Sequence, residues 1–381
     1  MKNIKILATF GTRPEAIKMA PLVQELKSRP HFDCKVAVTA QHRQMLDQVL
    51  GLFDINPDYD LDIMTKGQSL FDVTSKALLG LKEVMEKSRP DVVLVHGDTT
   101  TTFSGALAAF YEGAKVGHIE AGLRTFNKWL PYPEEMNRRL TGQLTDFHFA
   151  PTKRAKDNLL KEGADSETIL VTGNTVIDAL NTTVKFPFHF STEILNDINF
   201  EEQKVVLVTA HRRENLGEPL CEICKGLLEI VLKNPDVLLI YPVHMNPAVK
   251  EPVHKILGGN ERILLLPPLD TDEMHNLMAR CYMVMTDSGG LQEEAPSLGK
   301  PVLVLRHETE RPEAVDAGTV KVIGTKRDTV FEEAEKLLKD KYEYDKMANA
   351  INPYGDGLAS KRIAEGLEYF LGFSKNRPDE F

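Results

Sequence analysis

The sequence predicts an α/β protein made of two Rossmann-like, doubly wound parallel-sheet domains facing a cleft. Short apolar runs rich in Val, Ile and Leu recur along the chain with longer amphipathic stretches between them. Strands buried on both faces and alternating with helices form parallel sheets. The rhythm stops and then restarts, so the pattern occurs twice. At 381 residues the chain is too long for one ordinary core and suits two.

In the first half the expected strands are IKILATF (4–10), CKVAVTA (34–40), DVVLVHG (91–97), KVGHIEA (115–121) and DFHFAPT (146–152). In the second they are KVVLVTA (204–210), VLLIYPVH (237–244), RILLLPP (262–268), YMVMTDS (282–288) and PVLVLR (301–306). The stretch 176–199 carries Phe-Pro-Phe-His-Phe and then acidic residues. It breaks the pattern and is expected to link domains at 1–175 and 200–355. The segment ASKRIAEGLEYFL places Ile363, Leu367, Phe370 and Leu371 along one helical face, so 356–381 is expected to pack back on the first domain.

Composition narrows the function. A net charge of −10 argues against nucleic-acid binding, which normally shows as a basic face. No apolar stretch is long enough to span a bilayer. The opening MKNIKILATF is short and lacks a small-residue cleavage site, so it reads as a first strand and the protein is expected in the cytoplasm. Cys34, Cys221, Cys224 and Cys281 are too few for a disulfide scaffold. The Cys221–Cys224 C-x-x-C has no second half-site, so neither a metal nor a redox role is expected.

Ligands of open α/β sheets bind beyond the carboxyl ends of the strands, which makes strand-end residues the informative ones. After the first strand, GTRPEAIKMAPL (11–22) offers a turn at Gly11 and Thr12, Arg13 directed at the crevice, and a helix from Glu15. This is not G-x-G-x-x-G, and the chain has no Walker lysine pattern, so an NAD or ATP site has no support in the sequence. HGDTTTT (96–102) puts Asp98 at a strand end, where it is equally an N-cap, with Thr99 to Thr102 available to cap the next helix. HIEAGLRT (118–125) does the same for Glu120, and PYPEEMNRR (131–139) sets Glu134 and Glu135 at a helix start. Carboxylates converging on one cleft raise one another's pKa, and a raised carboxyl is a useful proton donor.

The second half supplies anion-binding groups instead. TAHRRENL (209–216) brings His211, Arg212 and Arg213 after a strand, suited to a diphosphate or simply a solvated basic turn. YPVHMNP (241–247) adds His244, as ligand contact or cap. In TDSGGLQEEAPSLGKPVL (286–303) a strand turns through Gly289 and Gly290 into a helix expected to open at Leu291. Backbone N–H groups, the Ser288 hydroxyl and the helix dipole then face one anion, and Glu293 or Glu294 is placed to accept from sugar hydroxyls. Carboxylates on one half and nucleotide donors on the other are the layout of an enzyme acting on a nucleotide sugar.

Seven segments, GTRPEAIKMAP, HGDTTTT, HIEAGLRT, PYPEEMNRR, TGNTVID, TAHRRENLG and TDSGGLQEEAPSLGKPVL, resemble in order the motifs of the bacterial non-hydrolysing UDP-N-acetylglucosamine 2-epimerases over nearly the whole chain. The resemblance implies a glycosyltransferase-B-like fold and a homodimer. It also implies UDP-GlcNAc and UDP-ManNAc as substrate and product, with UDP expelled and recaptured, to supply ManNAc for cell-surface polysaccharide. It gives Asp98, Glu120 and Glu134 the acid and base roles and has His211 assist the departing diphosphate. Arg13, supported by Lys18, would bind phosphate; Ser288, Gly289 and Gly290 would hold the diphosphate and Glu294 the ribose. AQHRQM (40–45) matches an activator site at Gln41, His42 and Gln44, but MTKGQSL has Gly67 where relatives carry a basic residue, and Lys66 lacks the arginine fork.

The chemistry is consistent with this assignment. The C2 hydrogen of GlcNAc is not beside a carbonyl, so epimerisation needs either oxidation, for which the nicotinamide fingerprint is missing, or elimination of UDP to 2-acetamidoglucal and re-addition. No metal is required if protein cations neutralise the diphosphate. The alternatives are a retaining glycosyltransferase of the same architecture, a hydrolysing epimerase releasing ManNAc and UDP, and a non-catalytic nucleotide-sugar sensor. Three strand-end carboxylates favour the epimerase.

Overall fold

The computed structural model of the chain describes residues 3–40, 43–65 and 67–381. It divides into two compact units, Met1–Thr182 with Tyr354–Phe381, and Thr183–Pro353.

In the first unit β1 (Ile4–Phe10), α1 (Arg13–Ser28), β2 (Phe32–Val38), α2 (Arg43–Leu52), β3 (Tyr59–Asp60), α3 (Leu70–Ser88), β4 (Val92–His96), α4 (Thr100–Tyr111), β5 (Lys115–Ile119), α5 (Glu134–Leu144), β6 (Phe147–Ala150), α6 (Lys153–Lys161), β7 (Ile169–Val171) and α7 (Thr175–Thr183) follow in turn. Among the described residues seven parallel strands lie in the order β3-β2-β1-β4-β5-β6-β7. Successive side chains of a strand face opposite sides. Accordingly, Ile6, Ala8 and Phe10 pack with Met19, Leu22 and Leu26 of α1, while Leu7 packs with Leu81 and Met85 of α3 and Ala106 and Ala109 of α4.

The second unit contains β8 (Lys204–Thr209), α8 (Glu218–Lys233), β9 (Val237–Pro242), α9 (Pro247–Leu257), β10 (Ile263–Leu266), α10 (Thr271–Arg280), β11 (Met283–Thr286), α11 (Gly289–Ser297), β12 (Val302–Val304), α12 (Pro312–Asp316), β13 (Val320–Val322), α13 (Arg327–Lys339) and α14 (Lys341–Ala348). Its parallel sheet runs β10-β9-β8-β11-β12-β13 among the described residues. In both sheets the order reverses direction beside the first strand, between β1 and β4 and between β8 and β11. Such switch points are where doubly wound sheets open a crevice for ligand.

The last helix, α15 (Ala359–Phe370), buries Ile363, Ala364 and Leu367 in the first unit's core. Its Phe370 stacks on Phe147 with centroids 5.0 Å apart. Gly366 is needed there, because a Cβ would meet Leu170 Cδ2 at 2.9 Å and Phe149 Cε1 at 3.0 Å.

The stretch 176–199 packs on its neighbours. Its first part is α7, whose Val176, Ile177, Ala179 and Leu180 are buried and whose Asp178 accepts from the Ala359 and Ser360 amides at 3.2 and 2.7 Å. Beyond Thr183, the Lys185 amide donates to Asn276 Oδ1 at 2.9 Å, and Arg280 lies over the rings of Phe186, Phe188 and Phe190. Three short strands, β3, β7 and β13, add to the ten expected.

The start of α1 differs from expectation by two residues. In α1, Thr12 is the N-cap and Glu15 closes a capping box on it, so the helix begins at Arg13 and not at Glu15. Glu15 is buried and accepts from the Gly11 and Thr12 amides at 3.1 and 2.8 Å and from the Thr99 hydroxyl at 2.7 Å, joining the turns after β1 and β4. Gly11 has no room for a side chain, since a Cβ would lie 2.0 Å from Thr39 Oγ1 and 2.6 Å from Thr101 Oγ1. Gly11→Ala is expected to cost about 1–3 kcal/mol by overpacking, read as a lower urea midpoint at unchanged slope.

Candidate functional site

The end of β4 leads through Gly97, at φ +67°, to Asp98. Asp98 is not an N-cap. Thr99 caps α4, its side chain accepting from the Thr102 amide, which leaves the Asp98 carboxylate for other partners. Its Oδ2 accepts from Arg138 Nη2 at 2.6 Å, and its side chain is 29% exposed. The carboxylate is recessed but open to solvent on one side. Burial is the main cause that raises its pKa; Arg138 pulls it down, and Glu120 and Glu134 push it up. The three carboxylates singled out from sequence therefore share one field.

Glu120 follows β5 in the left-handed region at φ +61°, which is uncommon for a residue with a side chain and is often kept at functional positions. Its Oε2 accepts from Lys18 Nζ and from Asn174 Nδ2 at 2.8 Å. His96 Nε2 is 3.7 Å away, but burial holds the His96 pKa at about 4, so the imidazole is neutral and the contact is not an ion pair. Glu134 is the half-buried first residue of α5. Its neighbour Glu135 is fully buried and accepts from the Thr125 and Phe126 amides, both at 3.0 Å, so Glu135 is a structural residue. Arg13 is the half-buried first residue of α1, and Lys18 lies on the same helix.

Three histidines on adjacent strands stand beneath this cluster. His118 faces Gly97 O at 2.7 Å, and burial lowers the pKa of His96, His118 and His148 to about 4, 3 and 4. A folded-state value below the unfolded one of 6.5 means that the unfolded chain binds protons first. The stabilisation is whole above pH 6.5 and is lost as pH falls toward 4, by about 1.4 kcal/mol per pH unit per group. Urea unfolding of the protein is accordingly expected to show lower stability at pH 5 than at pH 7, and His148→Phe is expected to shrink the difference.

In the second unit Asp287, wholly buried, organises the turn after β8. Its Oδ2 accepts from the His211 and Arg212 amides at 2.7 and 2.8 Å and from Asn215 Nδ2 at 3.0 Å. Its Oδ1 lies 3.7 Å from His211 Nδ1. His211 stacks on the exposed His244 with centroids 5.3 Å apart. Burial lowers the His211 pKa, Asp287 opposes this, and His244 and Arg212 add to it.

The expected glycine turn is instead the start of a helix. Ser288 is the N-cap, and Gly289 and Gly290 are the first residues of α11, so the helix opens before Leu291. Neither glycine has positive φ. A Cβ on Gly289 would point at the guanidinium ends of Arg311 and Arg212, at 3.7 and 3.9 Å. Two arginines thus converge on a helix N-terminus, an arrangement suited to an anion. Glu293 is buried and holds Arg311 Nε. Glu294 lies toward the helix start, its Oε1 3.3 Å from a Cβ on Gly290 and its Oε2 3.6 Å from His275 Nε2.

Gln41, His42 and Lys66 lie outside the described residues; Gln44 belongs to α2, and its side chain is also outside them. Gly67 has φ +75°. Cys221 and Cys224 lie on α8 as free thiols, with burial raising Cys224 to about 12. Among the described residues, no group of His, Cys, Asp and Glu is arranged to hold a metal ion. Nor, among them, is any helix long and apolar enough to cross a membrane.

Sequence reasoning missed Arg138, Asn174, Asp287 and Arg311. The first three stand inside quoted motifs and could have been weighed there; Arg311, in RHETERPEAV, lies in a loop with no periodic signal.

The fold and these two residue sets define a two-domain α/β enzyme of the glycosyltransferase-B-like architecture. A family profile described as UDP-N-acetylglucosamine 2-epimerase matches residues 24–368, and the chain belongs to that family of isomerases. The UDP-N-acetylglucosamine 2-epimerase of Bacillus subtilis strain 168 is 56% identical over 381 residues, covering 100% of this chain and 99% of the relative. The crystal structure of UDP-GlcNAc 2-epimerase from Neisseria meningitidis bound to UDP-GlcNAc superposes with a TM-score of 0.86 at 50% identity, covering 96% of this chain and 99% of that one. The S. aureus MnaA–UDP structure does so at 0.91 and 49%, covering all of both chains.

Proposed function

We propose that the protein interconverts UDP-GlcNAc and UDP-ManNAc at C2 without hydrolysis, by elimination of UDP and re-addition. The observation that carries the reading is the gathering of Asp98, Glu120 and Glu134 in one field at the ends of β4 and β5 and the start of α5. A transferase has little use for so much proton capacity, and a sensor has none. Relatives solved with UDP and with UDP-GlcNAc support the ligand class.

In this mechanism a carboxylate takes the C2 proton as the C1–O bond breaks and UDP leaves with the electron pair, forming the C1=C2 bond of 2-acetamidoglucal. A second carboxyl then delivers a proton to the opposite face of C2, and a diphosphate oxygen re-adds at C1. Charge develops on the departing diphosphate, where Arg212, Arg311 and the N-terminus of α11 with Ser288, Gly289 and Gly290 stabilise it. His211, whose pKa burial lowers, assists that group. Glu294 takes the ribose hydroxyls, Arg13 and Lys18 serve phosphate and Glu120, and His244 supports His211. The same reading has a cytoplasmic homodimer feeding polysaccharide synthesis, activated by UDP-GlcNAc through Gln41, His42 and Gln44.

Chromatography of the products from UDP-GlcNAc, with no nicotinamide added, tests the reading. UDP-ManNAc as the new species supports it. Free ManNAc with UDP would make the enzyme a hydrolysing epimerase, and UDP-GlcNAc left unchanged until an acceptor is added would make it a transferase.

A further inference from the structure

Asp98 has a neighbour to which the proton chemistry gives no part. Arg138 stands on α5 four residues after Glu134, so the two side chains rise from one face of the helix a turn apart. Arg138 Nη2 donates to Asp98 Oδ2 at 2.6 Å, and the adjacent Asn137 donates from Nδ2 to the Asp98 carbonyl at 3.0 Å. On its other side Arg138 Nη1 is 3.7 Å from Glu135 Oε2, the carboxylate already fixed by two backbone amides. The Arg138 side chain is only 10% exposed, so this is not a solvent-weakened surface pair.

We propose that Arg138 is a positioning residue that keeps Asp98 ionised and aimed, so that Asp98 enters the reaction as a carboxylate. The inference rests on the epimerase reading and settles one thing that reading leaves open, the resting charge of one of the three acids. Carboxylates sharing a site cannot all stay charged without compensation. The groups facing Asp98 are Arg138 and Glu134 from α5, Glu120 after β5 and Lys18 from α1. Burial and the two glutamates favour the neutral acid, and Arg138 is the largest counterweight. Lys18, which donates to Glu120, also favours the carboxylate but less than Arg138 does.

The test is kcat against pH for the wild type, Arg138→Met, Arg138→Lys, Asp98→Asn and the Arg138→Met/Asp98→Asn double variant. Turnover of UDP-GlcNAc by the wild type is measured first, and its absence would refute the epimerase reading itself. Arg138→Met is expected to lower kcat about tenfold or more and to move the pH limb carried by Asp98 upward by about one unit or more. Arg138→Lys, which keeps the charge and loses the fork, is expected to hold the limb near its wild-type position. In the Asp98→Asn background, Arg138→Met should cost nothing further, because groups acting through one another are not additive. A cooperative unfolding transition qualifies each variant, and Arg138→Gln replaces the methionine variant should it lack one. An unmoved limb together with additive losses would overturn the proposal, since that is the pattern of a merely structural arginine.

Discussion

Replacing Glu120 by glutamine is expected to lower kcat about 10²–10⁴-fold, the range for loss of one general acid–base group, with UDP binding unchanged. The backbone at this position is already in the left-handed region, so the substitution, which preserves side-chain shape, tests charge alone. Lys18 and the Asn174 amide both donate to Oε2, and a neutral amide accepts more weakly and cannot move a proton. UDP should bind nearly as before, because Arg212, Ser288, Gly289, Gly290, Glu294 and Arg311 all belong to the second unit, and only Arg13 and Lys18 are assigned to phosphate from α1. Steady-state kinetics and a UDP titration check both halves. A fall in UDP affinity equal to the fall in kcat would show that Glu120 holds the ligand and has no part in proton transfer.

The second large effect is expected at Arg311. Arg311→Met leaves Glu293, whose side chain is 1% exposed, without its cation, and breaking a buried pair from one side costs about 3–5 kcal/mol. The same change removes one of two guanidiniums aimed at the start of α11. UDP affinity should fall by about 1.5–3 kcal/mol, the worth of a charged hydrogen bond. The double variant Arg311→Met/Glu293→Gln separates these effects, recovering much of the stability and none of the affinity. Chemical unfolding and calorimetric titration of the three proteins are the measurements. Recovery of both together would show that Arg311 acts on the fold alone.

Much of this machinery was legible in the residues. Buried runs such as KVVLVTA and DVVLVHG have no polar face to confuse them with helices, so the central strands were plain, and strand-end acids follow from the topology. Strands of two or three residues such as β3, β7 and β13 are too brief to show a period. They exist because a neighbouring strand offers its edge, which is tertiary information. Cap geometry misled at Thr12, where the capping box with Glu15 starts the helix two residues before the expected position. Partnerships across long separations, such as Arg138 with Asp98, 40 residues apart, leave no local trace. The segment 176–199 reads as a linker because its aromatic and proline residues match no period; the packing of Phe186, Phe188 and Phe190 on Arg280 leaves no periodic trace.

Elimination makes the hydrogen on C2 exchange with solvent, so that hydrogen reports on the mechanism. Purified enzyme is incubated with UDP-GlcNAc in D2O, with neither nicotinamide nor metal added, and followed by proton NMR. The mechanism predicts UDP-ManNAc appearing with deuterium at C2, and loss of the C2 proton signal from the UDP-GlcNAc pool as the reverse reaction runs. Formation of UDP-ManNAc with its C2 proton retained would contradict it, because a proton carried by an exchangeable carboxylate cannot return to carbon unmixed with solvent.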